Sequence, residues 1–248
     1  MTKKVLIISG LDPSGNAGLL RDLEIAHTFP LETSASVTAL TSQNLKNFLK
    51  TQTVTPAIFK SQLQSLVPLS QYHAIKIGML GNEKLIEIFL SFLKRQKNPP
   101  IILDPVMESS TGGILLTKKG RQALWDKLLP RVSLWTPNLA EASYYFGKEI
   151  RNPAMMQKAA QFFWKTLRVP VLIKGGHAKQ KKEKKGKVQD IFIDKKGETW
   201  FLFPRHKNKK RGTGCALASL IASFVAVGFP LREAVTQSRS VMQRWLHG

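Results

Sequence analysis

Short apolar runs alternate with helical periods along this chain, and nearly every run stops at glycine or a polar residue. Residues 5–8, 34–40, 74–77, 101–103, 132–135 and 170–173 read as strands, and the continuous apolar run of 5–8 is that of a strand buried on both faces. Between them, residues 18–28, 55–67, 83–95, 117–128, 138–146 and 154–167 carry helical spacing. In 83–95, for example, Leu85, Ile86, Phe89, Phe92 and Leu93 share one face. Residues 189–193 and 199–203 predict a hairpin around Lys195-Lys196-Gly197, and helices over about 213–227 and 231–246 close the pattern. Parallel strands need crossovers long enough to hold a helix, so the alternation predicts an α/β protein. The expected architecture is one three-layer α/β/α domain over residues 1–248, with a mostly parallel central sheet. Ligands of such sheets sit beyond the carboxyl ends of the strands, so the residues just after each apolar run are the candidates for a site.

Size and charge narrow the partners. A chain of 248 residues with 43% hydrophobic content buries a substantial core, which excludes a disordered protein. The one cysteine, Cys215, excludes an intramolecular disulfide and a thiolate zinc site, and the five histidines show no ligand-like spacing. Lys and Arg number 38 against 16 Asp and Glu, a net charge of +22 that suits nucleic acid, an anionic membrane or a small polyphosphate. Six lysines fall in 179–187 and five basic residues in 205–211, but the excess extends well beyond both clusters. The first cluster has no aromatic residue for base stacking, so the expectation is salt-sensitive, sequence-independent nucleic-acid contact at most. The apolar run 5–11 is stopped by Asp12-Pro13, too early for a secretory segment. The uncharged stretch 212–231 is bracketed by Gly-Thr-Gly and Gly-Phe-Pro, which predicts a buried core helix instead of a membrane span. A soluble, cytoplasmic protein with no membrane partner is expected.

Seven strand-end segments gather glycines and polar groups: SGLDPSGNAG (9–18), TSQN (41–44), GMLGN (78–82), DPVM (104–107), TPNLAE (136–141), KGGH (174–177) and GTGC (212–215). Each admits two readings. Gly212-Thr213-Gly214 opens an apolar helix whose free N–H groups suit phosphate oxygens, or is a glycine-rich turn into a core helix. It is no Walker loop, since GxxxxGK[ST] is absent from the chain. Cys215 in the first turn is either a thiolate favoured by the helix dipole and Arg211, fit to take a hydroxyl proton, or a small packing residue. Asn138 and Glu141 read as a capping box, the favoured reading, or as part of a hydrated Mg²⁺ shell. Asp104 is a metal-shell carboxylate or a turn former, and Lys174 a phosphate contact or a solvated strand end. Gln43 and Asn44 either read a polar ring or satisfy loop backbone.

In this order and spacing, GLDPSGNAG, SQN, KIGML, LDPVM, TPNLAEA, IKGGH and GTGC resemble the hydroxymethylpyrimidine/phosphomethylpyrimidine kinases, within the ribokinase-like superfamily. The resemblance covers nearly the whole chain and implies a ribokinase-like fold, often as a homodimer. It implies ATP- and Mg²⁺-dependent phosphorylation of 4-amino-5-hydroxymethyl-2-methylpyrimidine and then of its monophosphate, in thiamine biosynthesis. By motif it assigns Gly10, Asp22, Gln43, Met79 and Val106 to the pyrimidine pocket. Gly212, Thr213 and Gly214 become the anion hole and Cys215 the general base. Asp104, Asn138 and Glu141 become the metal-phosphate shell, and Lys174 a phosphate contact. A vitamin B6 kinase on the same fold and a non-catalytic basic nucleic-acid-binding or regulatory protein are the rivals; Cys215 and Gln43 argue against the first. Four departures bear on substrate preference and the second phosphorylation. Asn16 replaces a glycine of GGAG, and Glu108-Ser109-Ser110-Thr111-Gly112 lacks the lysine of VAKSG. Arg211 stands for the histidine of NTHGTGC, and Pro30 and Thr33 fall in the stretch that matches ALGAYG.

Overall fold

The computed structural model describes residues 2–44, 46–94, 98–110, 112–176, 187–204 and 212–247. Among these, nine strands make one sheet: β1 (Lys3–Leu11), β2 (Leu31–Gln43), β3 (Phe48–Thr53), β4 (Ala74–Ile77), β5 (Ile101–Leu103), β6 (Leu134–Trp135), β7 (Val171–Ile173), β8 (Lys187–Asp194) and β9 (Gly197–Pro204). The spatial order is β3-β2-β1-β4-β5-β6-β7-β8-β9. The six central strands from β2 to β7 run parallel, with antiparallel β3 on one edge and the β8–β9 hairpin on the other.

Period-two alternation in the strands builds the three layers. Leu6 and Ile8 of β1 point to the face covered by α2 (Pro56–Ser65), α3 (Glu83–Leu93), α4 (Lys118–Ala123), α5 (Leu139–Phe146) and α6 (Pro153–Leu167). Val5 and Ile7 point to the other face, covered by α1 (Gly18–Ala26), α7 (Thr213–Ala226) and α8 (Leu231–His247). Helix α3 shows the local logic. The Asn82 side chain accepts from the Leu85 N–H to cap its start, and Leu85, Ile86, Phe89, Leu90 and Leu93 are buried. Each such side chain contributes about 1.5–3 kcal/mol by leaving water. The uncharged 212–231 stretch supplies α7, which lies between the sheet and α8. Among the described residues no helix is long and apolar enough to cross a membrane.

Three departures from the sequence expectation have physical causes. Strand β3 was hidden because it is an edge strand with Leu49 and Lys50 exposed, so it carries no apolar run. The helix expected over 117–128 keeps α-geometry only to Ala123 and then widens into a π-turn, Leu124–Leu128. A 3₁₀ turn, Leu129–Arg131, comes next, built around Pro130. That turn takes up Val132, whose N–H donates to the Leu129 carbonyl, and leaves β6 two residues long. Residues 205–211, and all of the 179–187 cluster except Lys187, lie outside the described residues, as do His177 and Arg211.

Candidate active site

The chain leaves β1 for β2 on one side and returns to β4 on the other, so the carboxyl ends of β1 and β4 open the crevice where such sheets hold ligands. Gly10 lies at the end of β1, where a side chain would put Cβ 2.7 Å from the Met79 sulfur. Met79 in turn packs with Ala39, Leu115, Phe48 and Val106, an apolar wall separate from the two main cores. Gln43 ends β2 half-buried, beside this wall. Asn44 closes the turn to β3, its Oδ1 accepting from the Lys46 and Asn47 N–H groups at 2.9 Å, which favours the loop-satisfying reading for this residue.

Loop 12–17 connects this pocket to the start of α7. Asp12 shapes it by accepting from the Ser14 N–H at 3.0 Å and the Ser14 hydroxyl at 2.8 Å. At Gly212 φ is +71°, and an added Cβ would sit 2.0 Å from the Asn16 carbonyl oxygen. Gly212→Ala therefore meets both a left-handed backbone and a clash with main chain. We expect a loss of about 2 kcal/mol or more, read as a melting temperature lower by about 4–8 °C; an unchanged melt would show that the loop yields freely.

On the far side of α7's first turn lies a charged group. The Lys174 ammonium donates to Asp104 Oδ1 at 2.6 Å, and a Cβ on Gly214 would stand 3.0 Å from Lys174 Nζ and 3.5 Å from Asp104 Oδ2. Burial opposes the Lys174 charge, but Asp104 and Glu141 outweigh it and hold the ammonium above the usual lysine range. Asn138 and Glu141 form the capping box of α5: Asn138 Oδ1 accepts from the Glu141 N–H at 3.0 Å, and Glu141 Oε2 from the Asn138 N–H at 2.8 Å. The capping-box reading holds, and the buried Glu141 also faces Asp104 and Lys174 electrostatically. Burial pushes its carboxyl up to about 7, with Lys174 opposing and Asp104 adding to the shift. Among the described residues no group of three His, Cys, Asp or Glu side chains is gathered to hold a metal directly. Two carboxylates beside an anion-accepting helix start fit Mg²⁺ held partly through water and phosphate oxygens.

Two assignments change. Asp22 does not face the pocket: it is fully buried, one oxygen taken by the Lys76 ammonium at 2.5 Å and the other by the Ser219 hydroxyl at 2.8 Å. The thiolate expected at Cys215 is also corrected. Burial pushes this thiol up to about 12; Lys76 opposes that, Asp22 and Asp104 add to it, and the Gly18 N–H donates to the sulfur. A helix dipole contributes about 0.3–1 kcal/mol, too little to reverse desolvation of a thiolate. Lys76 was missed in the sequence, though a lysine inside the four-residue strand Ala74–Ile77 is a legible signal. Asp190 was missed as well: it accepts from the Gly175 N–H at 2.8 Å and pairs with Arg239 of α8, fixing the backbone just after Lys174.

A parallel sheet with this switch point, a glycine-rich helix start and a buried lysine–carboxylate pair fit a ribokinase-like small-molecule kinase. Comparison with known proteins specifies the family. The sequence model described as Phosphomethylpyrimidine kinase matches residues 12–247, so the chain belongs to that family and is a kinase that uses ATP. It is 32% identical over 246 residues to the hydroxymethylpyrimidine/phosphomethylpyrimidine kinase of Rhizobium meliloti, covering 98% of this chain and 90% of that protein. Among solved structures, a phosphomethylpyrimidine kinase from Clostridium difficile superposes with a TM-score of 0.82 at 28% identity, covering 98% of this chain and 99% of the other. Pyridoxal kinase from Staphylococcus aureus, in complex with AMP-PCP and pyridoxal, superposes with a TM-score of 0.86 at 26% identity, covering 98% of this chain and 87% of that one. The fold alone therefore does not separate the two substrate classes.

Proposed function

We propose that this chain transfers the γ-phosphoryl group of ATP to the hydroxymethyl group of 4-amino-5-hydroxymethyl-2-methylpyrimidine, and then phosphorylates the monophosphate. The observation that carries this reading is the position of α7's first turn. Cys215 accepts from the Gly18 N–H on the side of Gly10 and Met79, while Gly214 lies against Lys174 and Asp104. A base at that spot stands between an alcohol pocket and a phosphate site. In-line phosphoryl transfer requires that juxtaposition and little covalent chemistry.

In this reading Gly10, Gln43, Met79 and Val106 hold the pyrimidine, with Asp22 beneath them acting through Lys76. The N–H groups of Gly212, Thr213 and Gly214 receive developing phosphate charge, and Lys174 neutralises it. Asp104 and Glu141, with Asn138, would hold Mg²⁺ through water. When bound, Mg²⁺ offsets charge on the phosphate oxygens. Cys215, once its thiol proton has passed to water, takes the hydroxyl proton as the oxygen attacks. A homodimer and a cytoplasmic site of action belong to the same proposal, supported by the resemblance in the sequence, and sequence-specific nucleic-acid binding does not.

The test offers Mg-ATP with the pyrimidine alcohol, its monophosphate and pyridoxal in separate reactions, with products read by mass. Conversion of both pyrimidines, ending at the diphosphate, is expected. Exclusive formation of pyridoxal phosphate would move the chain to the vitamin B6 reading, and no conversion of any alcohol would leave the non-catalytic one.

A further inference from the structure

Lys174 is held by backbone bonds on either side of it. Its own N–H donates to the Pro137 carbonyl at 2.8 Å, which ties it to the end of β6. The next residue is held from the opposite side. The β7–β8 ladder stops at Ile173 and Ile191, and the Gly175 N–H then donates to Asp190 Oδ1 of β8 at 2.8 Å. Gly175 also lies hard against that strand: an added Cβ would stand 1.9 Å from the Gln189 carbonyl oxygen. The chain thus leaves the sheet at a point fixed by a carboxylate, whose bond to an N–H is stronger than a neutral carbonyl's.

That carboxylate is itself anchored. Asp190 is 1% exposed, and its second oxygen pairs with the Arg239 guanidinium of α8. The same guanidinium lies 4.2 Å from the centre of the Phe203 ring of β9. A second pair, Arg232 with Asp194, joins the same helix and strand. It sits at the β8–β9 turn, where Asp194 also accepts from the Lys196 N–H at 2.7 Å. Docking of α8 on β8 is therefore already served at the turn. The Asp190 pair lies at the other end: β8 runs antiparallel to β7, so its first residues meet the carboxyl end of β7 and Lys174. Apolar side chains in place of a buried ion pair are often neutral or stabilising, so packing alone gives no reason for a carboxylate there.

We propose that Asp190, anchored by Arg239, is a positioning residue that sets the place of Lys174 against the phosphate groups of ATP. The inference rests on the phosphate contact given to Lys174 above. Asp190 touches neither nucleotide nor alcohol in this reading; it acts through the Gly175 N–H. A shift of about 1 Å in a positioned group can cost about 10²-fold, so a single backbone bond suffices for a measurable effect.

Two double variants test this, and neither leaves a buried ion alone. Asp190→Asn/Arg239→Met keeps an oxygen for the Gly175 N–H, and Asp190→Leu/Arg239→Met removes it. The readout is calorimetric affinity for Mg-AMP-PCP, which needs no alcohol. The leucine pair is expected to bind about tenfold more weakly than wild type. The asparagine pair is expected within about twofold of wild type, the scatter of independent effects. Added to Lys174→Met, the leucine pair is expected to cost no more than about twofold further, because its effect passes through the missing ammonium. Wild-type affinity in the leucine pair, equal losses in the two pairs, or an undiminished loss in the Lys174→Met background overturns the proposal. Should near-ultraviolet dichroism show the leucine pair unfolded, the asparagine pair decides: affinity as low as that of Lys174→Met overturns the proposal, and wild-type affinity supports it. Wild-type affinity and ATP turnover in Lys174→Met would remove the phosphate contact itself, and the proposal with it, whereas the other adverse outcomes leave that contact standing.

Discussion

Cys215→Ala lowers kcat by about 10²–10⁴-fold, the range for loss of a positioned acid–base group, while ATP-analogue affinity stays within a few-fold of wild type. The separation comes from the geometry. In the proposed reading the phosphates meet the N–H groups of 212–214 and Lys174, whereas the sulfur accepts from the Gly18 N–H. The substitution removes a half-buried sulfur at the start of a helix and introduces a better helix former, so the fold is retained. Steady-state kinetics with the pyrimidine alcohol, paired with calorimetric titration of a non-hydrolysable ATP analogue, reads both quantities. Normal turnover in the variant would leave Cys215 as a packing residue.

The second large effect is at Lys174. Met preserves the length of its stem and removes the charge, leaving Asp104, with 4% of its side chain exposed, without its ammonium partner. Breaking a buried pair from one side costs about 3–5 kcal/mol, which for a chain of this length lowers the melting temperature by about 6–20 °C. The expected fall in kcat/KM for ATP is about 10²–10³, as for loss of one donor to transition-state charge. Asp104→Asn/Lys174→Met separates the two consequences. Its melting temperature returns most of the way to wild type because no carboxylate is left stranded, yet its turnover remains low. Restored turnover in that double variant would show that Lys174 serves only to neutralise Asp104.

The net charge of +22 first suggests nucleic acid, membrane or polyphosphate, but the site itself engages few cations. Among the described residues, Lys174 and Lys76 are the ones near α7's first turn, and both are committed to carboxylates. Much of the surface excess thus has no assigned partner in the catalytic site.

The features legible in the sequence are local and periodic. Short apolar runs marked β1, β5 and β7, and Asn138-x-x-Glu141 marked a capped helix, since capping and face periodicity depend on neighbours within a few residues. Motif order along the chain marked GLDPSGNAG and GTGC as parts of one site. Edge strand β3 escaped because half-exposed strands need no apolar run, and the π-turn after Ala123 because its residues keep helical spacing. The protonation of Cys215, the burial of Asp22 and its pairing with Lys76 were decided only in three dimensions. Charge state depends on desolvation and on groups 54 to 197 residues apart in the chain, such as Asp22 with Lys76 and with Ser219. Spacing in a sequence records which residues are present; the dielectric around them, and the partner each charge meets, arise only when the sheet closes under α7.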